Sequence, residues 1–195
     1  ALSDLLVARH IVAKYGGKDS LHELFAATPA FEMIKFLLMR AAQDGTAPRS
    51  GPIQGKRKVL FVDISKAHLY APTSEEDDFF VDLPPECRKE GVCGHLNSWL
   101  YGMRPASKGW EEEYRRVLES MGFKAGKASP CCFTRESDGT SCVVHGDDFT
   151  FEGLESSLRA IPDELRKHWL VKVRALCGPE PTDDKEVTIL GRVVR

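Results

Sequence analysis

Three apolar stretches joined by two short polar turns, between 131 and 153, constrain the fold of this chain most. The sequence CCFTRESDGTSCVVHGDDFTFEG carries the turn sequences SDG at 137–139 and GD at 146–147. Strands joined by such short connections run antiparallel, because a parallel pair needs a crossover of about a dozen or more residues. The stretch therefore predicts consecutive hairpins and an antiparallel sheet.

Two helices are indicated by capping residues and apolar spacing. Thr28 is a favoured N-cap and Pro29 is tolerated at the first helical position, so a helix is predicted from here to near Gln43. A second helix is predicted from about 107 to 121, with Gly122 as its C-terminal stop. Both segments place apolar side chains on one face, which predicts that each helix packs against a sheet.

Short apolar runs bounded by turn residues predict the remaining strands. A helical stretch near Leu154 is expected to be interrupted at Pro162, because proline lacks the N–H of a helical hydrogen bond. Helices that alternate with strands and hairpins predict an α+β domain with a mostly antiparallel sheet. The predicted strands outside the hairpins are a β-like piece LSDLLVARHIVAKYGG at 2–17, KVLFVD at 58–63, FFVDL at 79–83, WLVKVRALC at 169–177 and EVTILGRVV at 186–194.

Length, charge and cysteine content limit the classes of protein to which this chain can belong. A chain of 195 residues with 42% hydrophobic content can bury the core of one domain or somewhat more. Lys and Arg number 27 against 29 Asp and Glu, so a nucleic-acid-binding surface would have to be local. The six cysteines lack zinc-ligand spacing and are expected to be reduced core thiols. No apolar run predicts a membrane span or signal peptide, which favours an intracellular location without a membrane partner.

The sequence VVHGDDF at 143–149 sets two carboxylates behind a glycine inside an apolar run. Gly146 and Asp147 fit the central positions of a type II′ turn, whose first residue needs positive φ. Asp147 would then lie at the hairpin tip and Asp148 at the start of the return strand. Aspartate is also common in turns for purely structural reasons, so this motif by itself is a weak indication of function.

Asp63 strengthens the functional interpretation, because it ends the apolar strand VLFVD, where an uncompensated charge is costly. A divalent cation such as Mg²⁺ takes carboxylate oxygens together with substrate phosphates. We therefore expect Asp63 and Asp147 to converge on shared metals, with the strands VLFVD and CVVHG as neighbours in one sheet. The structural alternative is that Asp63 caps a helix or faces a loop.

The order of motifs resembles the reverse transcriptases of copia-type long-terminal-repeat retrotransposons over nearly the whole chain. The family has an apolar strand ending in Asp, a Leu-Tyr-Gly-Leu-Lys-Gln-Ala-Pro-Arg-Ala-Trp motif, a Tyr-Val-Asp-Asp motif and a later Leu-Gly strand. The matching segments are ELFAATPAFEMIKFLLMRAA at 23–42, FVDISKAHLYAP at 61–72, FFVDLPPE at 79–86, LYGMRPASKGW at 100–110, LESMGFKAGKASPCCF at 118–133, HGDD at 145–148 and ILGRVV at 189–194.

The resemblance implies a right-hand polymerase palm at 58–195, preceded at 1–57 by part of the fingers and a connecting helix. Asp63, Asp147 and Asp148 would hold two Mg²⁺ ions, with Mn²⁺ as a substitute, for the addition of deoxynucleoside triphosphates to a primer on an RNA or DNA template. Asp63 and Asp147 would be the principal ligands. The resemblance also implies thumb, RNase H and integrase domains elsewhere in a polyprotein, and a cytoplasmic particle or the nucleus as the location.

Four further residues match positions that contact nucleotide or template in the family. Arg104 and Lys108 match basic positions of the helix-entry motif, where they could bind phosphate. His68 stands where an aromatic side chain excludes ribonucleotides, and Gly146 precedes the aspartate pair. The chain departs from the family where His145 and Gly146 replace Tyr and Val. An ordinary exposed helix residue is the alternative for Lys108.

Two other functions fit the same residues. A retroelement relic could retain the fold and bind nucleic acid without extending a primer. Another palm-type phosphotransferase, such as a nucleotide cyclase, also needs carboxylates at strand ends, but the LYGMRP motif at 100–105 favours a polymerase.

Overall fold

The computed structural model describes residues 29, 31–43, 56–73 and 79–195. None of the helices in this part of the chain is long and apolar enough to cross a membrane. The helices are α1 (Phe31–Ala42), α2 (Ala106–Ser120) and α3 (Glu155–Leu165). The strands are β1 (Arg57–Ile64), β2 (Phe80–Val81), β3 (Gly94–His95), β4 (Lys124–Ala125), β5 (Cys132–Arg135), β6 (Thr140–His145), β7 (Asp148–Leu154), β8 (Val171–Cys177), β9 (Val187–Ile189) and β10 (Arg192–Val194).

The described residues fall into two compact units. The smaller unit comprises 67–73 and 79–113, and the larger one comprises 29, 31–43, 56–66 and 114–195. The division falls inside α2, between Glu113 and Tyr114. The boundary near 57 between fingers and palm stays a prediction.

A six-stranded antiparallel sheet forms the centre of the larger unit. Its strand order is β4-β5-β6-β7-β1-β8, and all neighbouring strands are antiparallel. The hairpins β5–β6 and β6–β7 close at the pairs Arg135↔Thr140 and His145↔Asp148. The predicted α+β class, the mostly antiparallel sheet and the two hairpins are confirmed.

The two faces of this sheet bury different helices. On one face, Ile34 and Leu37 of α1 share a buried cluster with Phe61 and Val143, and Ile189 of β9 belongs to the same cluster. On the other face, Tyr114 of α2 contacts the ring of Phe149, and α3 packs against β1 and β7 through Leu158, Ile161 and Leu165. Successive side chains of a strand point to opposite faces of the sheet. Asp63 and Asp148 follow or precede Val62 and Phe149 directly, so both aspartates lie on the α1 face.

A buried ion pair ties α1 to the sheet on the aspartate face. Glu152 of β7 is fully buried and accepts two hydrogen bonds from Arg57. Arg40 of α1 lies with Nη2 3.3 Å from Glu152 Oε2 and donates to Ser141 Oγ at 2.8 Å. A buried carboxylate needs such partners, because an unpaired charge in the core is strongly destabilising. The ion pair fixes the position of α1 above β6 and β7.

The smaller unit contains the β2–β3 hairpin and the segment that begins at Ala67. A 3₁₀-helix spans Ala67–Tyr70, and Ala71 O accepts a hydrogen bond from Trp99 N at 3.0 Å. Gly109 of α2 lies against the indole of Trp99, where a Cβ would approach ring atoms to 2.5 Å. This close approach requires glycine at the position.

Several local predictions were wrong. Pro162 does not interrupt α3, because the helix buries Ile161 and Leu165 on either side of it, and this burial offsets the missing hydrogen bond. The predicted strand at 186–194 is the hairpin β9–β10, which turns at Leu190 and Gly191 with φ of 46° and 70°. The β-like piece predicted at 2–17 lies outside the described residues.

Strand order and thiol burial also differ from the predictions. The strand CVVHG is not the neighbour of VLFVD, since β7 lies between β6 and β1. Cys87 and Cys93 are exposed, whereas Cys131 and Cys142 are buried. The predicted core thiols are therefore only partly present.

Candidate active site

Asp63 lies near the end of a strand that is buried on both faces. The strand RKVLFVDI places every residue except Asp63 in the core, and the Asp63 side chain itself is only 17% exposed. β-branched and aromatic residues favour this central position, between β7 and β8. The fold therefore holds a carboxylate at the edge of an apolar interior, where it needs a cationic partner.

The β6–β7 hairpin brings the aspartate pair to the same end of the sheet. Gly146 adopts a φ of +63°, and among the described non-glycine residues only Lys66 and Leu190 share a positive φ. Asp147 therefore has negative φ, as the second central residue of a type II′ turn requires. Asp147 is exposed at the tip, and its carbonyl oxygen accepts a hydrogen bond from Ile64 N at 2.9 Å. This bond ties the turn to the end of β1.

Asp63 and Asp148 lie directly opposite each other in the β1–β7 pair. Side chains at such positions have Cβ atoms about 4.5–5.5 Å apart, and two like charges there repel. The sequence expectation was that Asp63 and Asp147 converge from neighbouring strands. The structure instead pairs Asp63 with Asp148 and leaves Asp147 as the neighbouring charge at the tip.

Arg174 of β8 supplies the positive charge between these carboxylates. Its Nη2 atom donates to Asp63 Oδ1 at 2.6 Å and lies 3.5 Å from Asp148 Oδ1. The hydrogen bond to Asp63, supported by the charges of Asp148 and Asp147, raises the pKa of the guanidinium. The guanidinium therefore stays protonated and bridges the two carboxylates.

The pKa of Asp148 is raised above its ordinary value. Partial burial is the largest cause, because it disfavours the charged form. Arg174 lowers the pKa, whereas the negative charges of Asp147 and Asp63 raise it again. A second cation at this position would relieve the crowding of negative charge.

The chemistry of these ligands fits a hard divalent cation. Asp63 and Asp148 already direct carboxylate oxygens at one positive group, and Mg²⁺ commonly takes one or two carboxylates plus substrate phosphates. No set of three or more His, Cys, Asp or Glu side chains in the described ranges is arranged to hold a metal. The two carboxylates that converge at this site are those of Asp63 and Asp148, and Asp147 lies beside them at the hairpin tip.

The other predicted contact residues lie in the smaller unit. The ring of His68 packs edge-on against Tyr101, with 4.5 Å between ring centroids. Arg104 is exposed in the turn before α2. Lys108 lies in the first turn of α2, with Nζ 4.0 Å from Glu111 Oε1 and 3.9 Å from Glu112 Oε1. His68 therefore contacts a neighbouring ring, and Lys108 has acidic neighbours on its own helix.

Arg174 is the functional candidate that the sequence expectations missed. In VKVRA it alternates with apolar residues, a pattern typical of any half-exposed strand. Its relevance depends on the register of β8 against β1, which no local pattern specifies. The signal available in the sequence was a cationic residue within a predicted strand, in a domain whose three candidate aspartates had no identified cationic partner.

A comparison of the sequence with models of known protein families finds no match. The assignment of a function therefore depends on the motifs in the sequence and on the geometry of Asp63, Asp147, Asp148 and Arg174.

Proposed function

We propose that this chain is the palm region, with part of the fingers, of an RNA-directed DNA polymerase similar to those of copia-type retrotransposons. One observation carries the proposal: Asp63 at the end of β1 faces Asp148 at the start of β7, beside the hairpin tip that bears Asp147. Carboxylates from two separate chain segments thus meet at one end of an antiparallel sheet. The sequence motifs predicted carboxylates at such a site, with Asp147 as the principal partner of Asp63 and Asp148 as the more peripheral residue.

The aspartates would hold two Mg²⁺ ions, which would supply Lewis-acid chemistry for nucleotidyl transfer. The carboxylates of Asp63 and Asp148 would hold the metal, since they already converge on one cation. Asp147 adds negative charge at the tip, and its carbonyl oxygen fixes the turn against Ile64. The hairpin and the buried β1 strand position the ligands before substrate binds.

The proposed substrates are deoxynucleoside triphosphates and a primer annealed to an RNA or DNA template. Arg104 is exposed and available to a phosphate, and a guanidinium suits phosphate oxygens. Lys108 would add a weaker contact, because Glu111 and Glu112 partly neutralise it. Gly146 supplies the positive φ of the turn, and the space beside it is open, since a Cβ at this position would meet no atom within 4 Å.

A specific observation favours the second candidate, a catalytically inactive relic. Asp63 already has a cationic partner in Arg174, so its charge is compensated without metal. In this interpretation Arg174 permanently replaces the ion and the domain at most binds nucleic acid. Divalent-cation binding distinguishes the two functions.

The test is single-nucleotide primer extension by the 195-residue chain with Mg²⁺ or Mn²⁺. Loss of a metal-binding carboxylate removes several kcal/mol of transition-state stabilisation, so Asp63→Asn and Asp148→Asn should each lower the extension rate by roughly a hundredfold or more. Asp163→Asn is the matched control, because Asp163 is an exposed carboxylate paired with Arg166 on α3. Extension that survives in Asp63→Asn would contradict the proposal, and thermal unfolding checks that each variant is folded.

A further inference from the structure

Arg174 lies next to a bulge in β8, on the face of the sheet that carries the aspartates. Along the pair with β1, Asp63 faces Lys172 and Val62 faces Val173, but Phe61 faces Ala175. The register therefore shifts at Arg174. Bulges are common beside active sites. The register of β8 against β1 thus places the guanidinium beside Asp63 and Asp148.

The guanidinium of Arg174 contacts the same carboxylate oxygens of Asp63 and Asp148 that a metal ion would bind. Arg174 Nη2 contacts Asp63 Oδ1 at 2.6 Å and approaches Asp148 Oδ1 to 3.5 Å. Its side chain is 34% exposed, twice the fraction of Asp63. The guanidinium of Arg174 therefore has access to solvent, while the two carboxylates are held on paired strands.

We propose that Arg174 is a built-in counter-ion of the aspartate site, which a divalent cation must displace from Asp63 in order to bind. The inference rests on the proposed function, since it concerns the same carboxylates. Without metal, Arg174 offsets the repulsion between two opposed carboxylates and keeps their side chains in place. With metal, the guanidinium gives up the Asp63 oxygen and turns toward solvent.

The strength of the ion pair makes this exchange feasible. A partly exposed pair contributes little, because solvent screens it and ordering two side chains costs entropy. A divalent ion carries twice the charge and binds several oxygens at once. Arg174 should therefore weaken metal binding without preventing it, so that half-saturation of the site requires a higher concentration of the ion.

The first test is a Mn²⁺ titration followed by electron paramagnetic resonance, with wild type, Arg174→Gln and the control Arg166→Gln. Loss of one charge-assisted contact corresponds to a dissociation constant roughly three- to tenfold lower in Arg174→Gln. Arg166 is an exposed arginine paired with Asp163, so its replacement should leave the constant unchanged. Asp63→Asn should abolish this binding and thereby identify the site.

The outcomes separate this inference from the proposed function. Equal or weaker Mn²⁺ binding in Arg174→Gln overturns the role of Arg174 and leaves the metal site standing. Absence of binding in both wild type and Arg174→Gln overturns the inference together with the metal chemistry of the proposed function.

The second test uses the wild-type chain and does not depend on how a variant folds. The side-chain NMR signal of Arg174, in protein labelled with ¹⁵N- and ¹³C-arginine, is identified by its absence in Arg174→Gln. Titration with Mg²⁺ should move this signal to the position of solvent-exposed arginines, with the same midpoint as metal binding. A signal that does not move at saturating Mg²⁺ overturns displacement.

Discussion

His68 is a single residue whose proposed role depends on the size of its ring. It belongs to the 3₁₀-helix Ala67–Tyr70 that follows β1, and its ring packs edge-on against exposed Tyr101. The resemblance places at this position an aromatic side chain that excludes the 2′-hydroxyl of ribonucleotides. Histidine is smaller than Phe or Tyr, and its ring nitrogens can hydrogen-bond to a hydroxyl.

We expect His68→Phe to increase discrimination against ribonucleotides. A larger apolar ring fills the space of the 2′-hydroxyl and offers it no hydrogen bond, so selectivity should rise by about tenfold, or about 1.4 kcal/mol. The measurement is the rate of incorporation of matched ribo- and deoxyribonucleotides by an active form of the protein.

His95→Phe is the matched control for this replacement. His95 is an exposed histidine in the same unit, and its ring contacts Phe80. The control should leave the ratio of the two incorporation rates unchanged. Equal selectivity in wild type and His68→Phe would exclude a gating role for His68.

At the scale of elements, the β5–β6 hairpin depends on the carboxylate of Asp138. This carboxylate accepts hydrogen bonds from Arg135 at 3.1 Å and 2.7 Å and from Thr140 N at 3.1 Å. Partial burial acts to raise the pKa of Asp138, but the hydrogen bonds, led by that from Arg135, hold it well below its ordinary value. The charged form is therefore the one that stabilises the turn.

Asp138→Asn should lower the free energy of unfolding by about 1–2 kcal/mol at pH 7, because hydrogen bonds to a charged group are lost. The pKa of Asp138 is lower in the folded state, so its stabilisation is present above the unfolded value of about 3.9 and is lost as pH falls below it. The difference between wild type and variant should thus shrink on acidification. Urea unfolding at pH 7, 5 and 3 measures it, and a difference that stays constant with pH would refute the assignment.

Helix ends and turns that depend on residues close together in the sequence were predicted from sequence patterns. The stop at Gly122 predicted the end of α2 to within two residues, and Gly146 predicted the hairpin turn. The cap predicted at Thr28 lies outside the described residues. The β9–β10 turn was missed because Leu190 and Gly191 do not form one of the usual Asn-Gly or Asp-Gly turns. In that case the sheet pairing overrides the intrinsic preference of leucine for negative φ.

The candidate site was predictable in composition but not in pairing. Three aspartates were identified from strand ends and a turn, whereas the partner of Asp63 is Asp148 rather than Asp147. That pairing depends on β7 lying between β6 and β1, and the role of Arg174 depends on the register of β8 against β1. Both are properties of long-range register, which hydrophobic patterns within one strand do not specify.

At the scale of the whole molecule, the numbers of basic and acidic residues nearly balance, and some basic side chains form buried ion pairs. The chain has 27 basic and 29 acidic residues. Arg57 is buried against Glu152, and Lys58 is buried against Asp183, with Nζ 2.6 Å from Oδ1. These cations stabilise the fold and are not available to nucleic acid. A surface that binds a duplex would have to be formed by other basic residues, among them the exposed Arg104.

We accordingly expect this chain to bind template–primer weakly and to extend it by only a few nucleotides per encounter. If Arg104 and Lys108 supply about two phosphate contacts, the logarithm of the association constant should fall with the logarithm of salt concentration with a slope of roughly −2. That slope corresponds to about a tenfold loss of affinity between 50 and 200 mM salt, far below the loss for proteins with many phosphate contacts.

Fluorescence anisotropy of a labelled duplex measures this slope, and extension in the presence of a heparin trap measures processivity. Arg104→Gln should reduce the slope by about one, because one phosphate contact is removed, whereas Arg166→Gln should leave it unchanged. Arg166 is a suitable control because it is an exposed arginine that pairs with Asp163 within α3 and its neighbouring turn. A steep slope of about −6 or beyond, or long products formed under the trap, would show that the chain carries a phosphate-binding surface that its charge balance does not predict.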